Sequence, residues 1–144
     1  MADVDVTAKV VECKLNNALY SFGTTKIYKF DPVEMGAAEA GTHTLVNLDK
    51  GEMILDGQLI VGTTCTSGGS ATVKLQIGSV DLTGALAVAN LTKGTVVPLA
   101  LSATGATKIS DSAVNPVKAV IAVAALTAGD VYVVLRTCKL VDMA

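Results

Sequence analysis

Few side chains in this chain could do chemistry. There is one histidine, His43, and there are three cysteines, Cys13, Cys65 and Cys138, spread far apart. Catalysis needs an acid, base, nucleophile or metal constellation. Cys65 and Ser67, in the stretch TTCTSGGSA, are the obvious place to look for a nucleophile, but no base stands near either in sequence. His43 begins a Thr-flanked strand-like run without a surrounding motif. The cysteines show no CxxC pattern and fit no local thiol-enzyme signature, and an odd, dispersed set suits free thiols in a reducing compartment. A zinc site would need more ligands than three cysteines and one histidine bring together. Asp49, Glu52, Asp56 and Asp81 fall near strand ends, where acids are solvated or bind turn amides. Gly68-Gly69 lacks the lysine and the following helix of a phosphate loop. No catalytic, cofactor-binding or metal-binding residue is assigned, and the chain is read as a non-enzyme without a cofactor.

The elements that would position such groups read as strands. In residues 53–78, Met53, Leu55, Leu59 and Val61 fall on one face of the first run, and Ala71, Val73, Leu75 and Ile77 fall on one face of the second. Apolar residues at every second position mark half-buried strands. With the Ser67-Gly68-Gly69-Ser70 turn between them, the simplest expectation is an antiparallel hairpin with residues 63–70 as its loop. Residues 117–126 and 131–141 are expected to form a second hairpin, turning at 127–130, with both strand faces covered. Residues 43–48 and 95–101 are further strands, the latter at an edge because Pro98 cannot donate to a ladder. Residues 33–41 read as a loop, 102–116 as a loop or weak strand, and 19–30 as a bent strand or short hairpin holding Tyr20, Phe22, Tyr28 and Phe30. The spacing drifts toward helical only around Leu82, Leu86, Val88 and Leu91, which predicts one short helix within residues 83–90.

At the start of the chain Val4, Val6, Ala8 and Val10 alternate with Asp3, Asp5, Thr7 and Lys9, an extended segment with one apolar and one polar face. Asn16-Asn17 follows as a turn. Residues 1–18 are therefore an N-terminal strand or an extended arm, and residues 19–144 a single domain. A strand of this kind can augment a neighbour's sheet, which makes residues 3–10 the candidate contact with other subunits or a partner shell. It can equally be the first strand of its own sandwich.

Leucine followed three residues later by glycine recurs at Leu48 and Gly51, Leu91 and Gly94, and Leu126 and Gly129. Each glycine is expected at positive φ where a strand enters the sheet, and valine there should cost about 1 kcal/mol or more.

The composition fits a β protein that is either a subunit buried against others or an ordinary monomer with a Thr-rich exterior. Hydrophobic residues make up 51% of the 144, aromatics only 3%, with no Trp, so the core must be aliphatic. Charged residues are 17%, below the roughly 25% of an average domain, which leaves a surface rich in Thr, Ser, Gly and small apolar groups. With a net charge of -2 and scattered Lys and Arg, nothing invites a nucleic-acid backbone. Mean hydropathy is high at +0.54, but the longest apolar run, residues 119–126, is far short of the roughly 20 that span a membrane. MADVDVTAKV has neither the basic nor the apolar region of a secretory signal, so cytoplasmic synthesis is expected.

The fold class expected is an all-β, jelly-roll-like antiparallel sandwich of about eight strands with one short helix. The order KGEMILDGQLIVG, TVKLQIG, DLTGALAVANLTKGTVVPLAL and VIAVAALTAGDVYVVL resembles the small jelly-roll decoration, or cement, proteins of tailed bacteriophage heads. The likeness covers residues 48–140 and is one of texture and element order. It implies a virion structural protein that binds the outer surface of the major capsid protein shell as a homo-oligomer, expected to be a trimer. Another virion subunit, of head fibre or tail, is the second reading. A carbohydrate-binding module is the third, and it has only Tyr20, Tyr28 and Tyr132 to offer a sugar face.

Overall fold

The computed structural model describes residues 24–49, 51–101 and 115–139. Nine strands run through them: β1 (Thr24–Phe30), β2 (Gly41–Leu48), β3 (Glu52–Ser67), β4 (Thr72–Ile77), β5 (Val80–Asp81), β6 (Leu86–Ala87), β7 (Val96–Pro98), β8 (Asn115–Ala122) and β9 (Leu126–Lys139). They form two antiparallel sheets. One has the order β1-β9-β3-β7, and the other β2-β8-β4-β5 with β6 also paired to β4. The all-β sandwich is thus present, with an aliphatic core between the sheets.

Alternation decides which side chains enter that core. Val73, Leu75 and Ile77 of β4, Val117, Ala119 and Ile121 of β8, and Val131, Val133 and Leu135 of β9 are all buried. Their neighbours along each strand are only half-buried, with Arg136 exposed. The expectation that residues 117–126 and 131–141 are covered on both faces is therefore corrected: each strand has a core face and an outer face. Leu75 is completely enclosed, and Leu75→Ala is expected to cost about 2–5 kcal/mol by urea unfolding, since lost transfer energy and a residual cavity add.

Both expected hairpins are also corrected. β3 and β4 lie in different sheets, as do β8 and β9. Alternation demands a partner for the apolar face, and a strand facing across the core meets that demand as well as one lying alongside. The turn after Ser67 carries the chain across the core instead of back along the same sheet. The second crossing falls at residues 123–125, where Val123 takes a φ of 75° and is exposed. Residues 127–130 are not a turn but lie inside β9, and residues 63–67 are not a loop but the end of β3. The strand pair continues here through register shifts near Thr63 and Thr66, which admit residues whose local pattern resembles a turn.

A register shift between Ile54 and Asp56 changes parity within β3. One extra residue on one strand flips the faces beyond it. Ile54 therefore joins Leu59 and Val61 in the core, while Met53 and Leu55 are only half-buried. The helix expected within residues 83–90 narrows to a single 3-10 turn, Val88–Asn90. Leu86 and Ala87 before it pair with β4.

The three glycines behave as expected in one respect: Gly51, Gly94 and Gly129 have φ of 80°, 89° and 113°. Gly129 differs from expectation in sitting within a strand instead of at its entry. Leu48, Leu91 and Leu126 are buried, so each pairing of leucine and glycine anchors the chain in the core and then redirects it. β7 lies at the edge of its sheet with Pro98 opposite Gln58, as the proline predicts. The strand predicted over residues 3–10, the turn at Asn16-Asn17, Cys13, Tyr20, Phe22 and most of residues 102–116 lie outside the described residues.

Candidate functional site

The side chains singled out for chemistry are held in structural roles. Cys65 is buried beside Gly129, and its Sγ contacts the Thr63 carbonyl at 3.8 Å. Burial first, and then the negative charge of Asp130, push its thiol pKa up, the opposite of what a nucleophilic cysteine requires. Ser67 Oγ donates to the Ala125 carbonyl at 2.7 Å and accepts from Gly69 N at 3.2 Å. Its hydroxyl stitches the crossing between the sheets. The His43 ring lies 6.2 Å from the Phe30 ring, and its Nε2 is 3.2 Å from the Glu39 carbonyl. Cys138 is a half-buried free thiol.

The acidic residues are dispersed over different surfaces. Asp81 accepts from Gln76 at 2.7 Å and pairs with Lys74 at 3.2 Å, which hold its carboxyl below the usual range. Asp56 accepts from Arg136 Nε at 3.0 Å and Nη2 at 2.6 Å, with the same effect on its pKa. Asp130 Oδ2 accepts from the Thr63 hydroxyl at 3.1 Å and lies 3.8 Å from Lys29. Its Oδ1 is buried without a hydrogen-bond partner, in the space that Gly62 leaves open. Among the described residues no group of three His, Cys, Asp or Glu side chains could hold a metal ion. No helix among them is long and apolar enough to cross a membrane.

Glu52 departs from expectation. It does accept from a turn amide, Asp49 N at 3.0 Å, but it is also buried, bound by Lys26 Nζ at 2.7 Å and by the Thr137 hydroxyl at 2.7 Å. This carboxylate joins β1, β3 and β9 from within.

What remains as a candidate site is a surface, the outer face of the β1-β9-β3-β7 sheet. Register sets its composition. Ile27 lies opposite Val134, which lies opposite Gln58, which lies opposite Pro98. The adjacent row runs Lys29, Tyr132, Ile60 and Val96. Directly opposed residues share a face, so Ile27, Val134, Tyr132, Ile60, Val96 and Pro98 form one apolar band across four strands. Ile27 and Val96, at its two ends, are 63% and 51% exposed. The Asp56–Arg136 pair bounds the band on one side and the Lys29–Asp130 pair on the other. An apolar band rimmed by charge is the composition of a protein-binding surface. Sequence reasoning missed it because its residues come from four strands whose order no local pattern reveals.

Of the three tyrosines, Tyr28 packs against the core and Tyr132 lies half-buried in the band. The candidate contact residues Asp3, Val4, Asp5, Val6, Thr7, Ala8, Lys9 and Val10 lie outside the described residues. The chain matches no protein-family model and no curated protein.

Proposed function

We propose that this chain is a virion structural protein of a tailed bacteriophage that binds the outer surface of the major capsid shell and stabilises it, assembling as a homotrimer. The observation that carries the reading is the apolar band on the outer face of the four-stranded sheet, in a chain of only 17% charged residues. Such a face loses apolar surface to water until a partner covers it, and burial contributes about 25 cal/mol per Å² of apolar area. The sandwich behind it supplies a rigid platform. The resemblance in element order to small head-decoration proteins supplies the partner. Many copies, each adding modest contact area across capsomer junctions, would stabilise a shell through multivalency.

The test is co-sedimentation with shells assembled from the major capsid protein of the same genome. The chain is expected to pellet with the shells and raise their thermal disruption temperature. Ile27→Asp combined with Val96→Asp, at two exposed edge positions, is expected to keep the wild-type circular dichroism spectrum and lower shell binding at least tenfold. Failure of the unmodified chain to pellet with the shells would overturn the reading. Undiminished binding by the double variant would remove this band from it.

A further inference from the structure

Among the described residues, one side of the sandwich is open. β1 and β2 are edge strands of their respective sheets, and among the described residues no strand pairs with the outer edge of either. Between them runs a groove of about 640 Å³, lined by Tyr28 and Phe30 of β1, His43 and Leu45 of β2, and Met35 and Ala37 of the connecting turn. The groove offers the β1 edge, whose main chain no described strand pairs, and an apolar floor beside it. An inserted strand would have to be apolar on one face and polar on the other.

We propose that residues 3–10 of the same chain fill this groove as a fifth strand, antiparallel to β1, in one register. Such an insertion does not depend on the capsid reading. Their length suits the site: eight extended residues span about 26 Å, and the seven of β1 about 23 Å. Parity, the turn and the Lys26–Glu52 contact together select the register. The side chains of β1 that face the core are Lys26, Tyr28 and Phe30, which lie opposite the buried Leu135, Val133 and Val131 of β9. For Val4, Val6 and Ala8 to face inward as well, even-numbered residues must lie opposite even-numbered ones.

A reversal at Asn16-Asn17, as the sequence predicts, brings two registers of that parity within equal reach, one setting Val6 opposite Lys26 and the other Ala8 opposite Lys26. The second register, with Val4 opposite Phe30, Val6 opposite Tyr28 and Ala8 opposite Lys26, is the one that the Lys26–Glu52 contact selects. The small side chain of Ala8 leaves the Lys26 ammonium its path to Glu52, 2.7 Å away. On the outer face Thr7 falls opposite Ile27 and Asp5 opposite Lys29, a favourable cross-strand charge pair. Asp3 would meet Asp31, so pairing ends at Val4. A strand from the same chain is favoured over one from a second copy because the connecting residues lead directly into β1, which keeps the local concentration of the strand high.

The test is a register-specific disulfide in the full chain, with Cys13→Ser and Cys138→Ser to remove two native thiols. Thr7→Cys with Ile27→Cys is expected to oxidise to an intramolecular disulfide in most molecules, running as a monomer on a non-reducing gel. Val6→Cys with Ile27→Cys places the thiols on opposite faces and is expected to form at least fivefold less. Disulfide-linked dimers from the first pair, indicating a strand donated by a second copy, would overturn the proposal, as would absence of the bond or equal yields from the two pairs. Hydrogen exchange on the unmodified chain is the independent check. Residues 4–10 are expected to exchange at least 100-fold more slowly than a free peptide, and exchange at the free-peptide rate would overturn the proposal without any variant.

Discussion

Gly129→Val is expected to destabilise the fold by about 3 kcal/mol or more, the sum of a backbone cost and an overpacking cost. The residue has a φ of 113°, where a β-branched side chain is strained. A Cβ there would also stand 2.5 Å from Cys65 Cα and 2.7 Å from its Sγ. The first of these is backbone, so trimming the cysteine side chain cannot relieve it. Gly94→Val is the control. Gly94 has a φ of 89°, but a Cβ there meets nothing within 4 Å. It therefore isolates the backbone part, expected at about 1–2 kcal/mol. Urea unfolding of the two variants beside the unmodified chain separates the contributions. Equal losses would mean that the close approach of β9 to β3 at Cys65 yields at no cost, and that the packing half of the argument is wrong.

This contrast shows what kind of information the sequence carries. A glycine three residues after a buried leucine is visible as a position of positive φ, because the chain must turn away from the core there. That Gly129 also lies against Cys65 depends on β9 pairing with β3, a contact between residues distant in the chain. The same limit governs the hairpins. Val73, Leu75 and Ile77 are legible as a core face because alternation is local, whereas the identity of the facing strand is not local. The bulge after Ile54 is hidden for a related reason: one extra residue leaves the composition unchanged but reverses which of Ile54 and Leu55 is inside. Pro98 was legible as an edge because its missing N–H is a property of the residue itself.

Among the candidate site residues, Cys65 and Ser67 could be set aside from sequence for want of a neighbouring base, and the structure supplies the roles they do have. Glu52 could not be read, since a single acid before an apolar strand is ordinarily solvated. A signal did exist on the other side of the pair. Lys26 has the same parity as Tyr28 and Phe30, so a strand that buries Phe30 also points its lysine inward, and an inward lysine calls for an anion.

Glu52→Ala is accordingly expected to cost about 3 kcal/mol, at the lower end of what breaking a buried ion pair does. Glu52 is only 4% exposed, and its loss removes an acceptor shared by three donors. The Thr137 hydroxyl is buried and has no route to water, and the Asp49 amide loses a partner, whereas the Lys26 ammonium is part-exposed and can turn outward. Glu52→Gln keeps the shape and loses the charge, so about 1–2 kcal/mol is expected, the difference a charge-assisted bond makes.

The pH dependence follows from the same contacts. Burial pushes the Glu52 pKa up, but the hydrogen bonds from Lys26, Thr137 and the Asp49 amide outweigh it and leave the carboxyl below its ordinary value. A depressed carboxyl contributes stability that is present above its unfolded pKa, about 4.3, and disappears as pH falls through the lower folded value. Lys26 has the opposite sense. Its hydrogen bond to Glu52 outweighs the cost of burial and raises its pKa, so its contribution holds below the unfolded lysine value and fades as pH rises through the folded one. The stability gap between the unmodified chain and Glu52→Gln should therefore be widest near neutrality and shrink as pH falls below about 4.3, where the unfolded carboxyl takes up a proton that the folded one resists down to its lower pKa. Urea midpoints at pH 7 and pH 3 measure it. A gap unchanged between the two would mean that Glu52 is held by shape and neutral hydrogen bonds alone, and that the charge joining β1, β3 and β9 adds nothing to their docking.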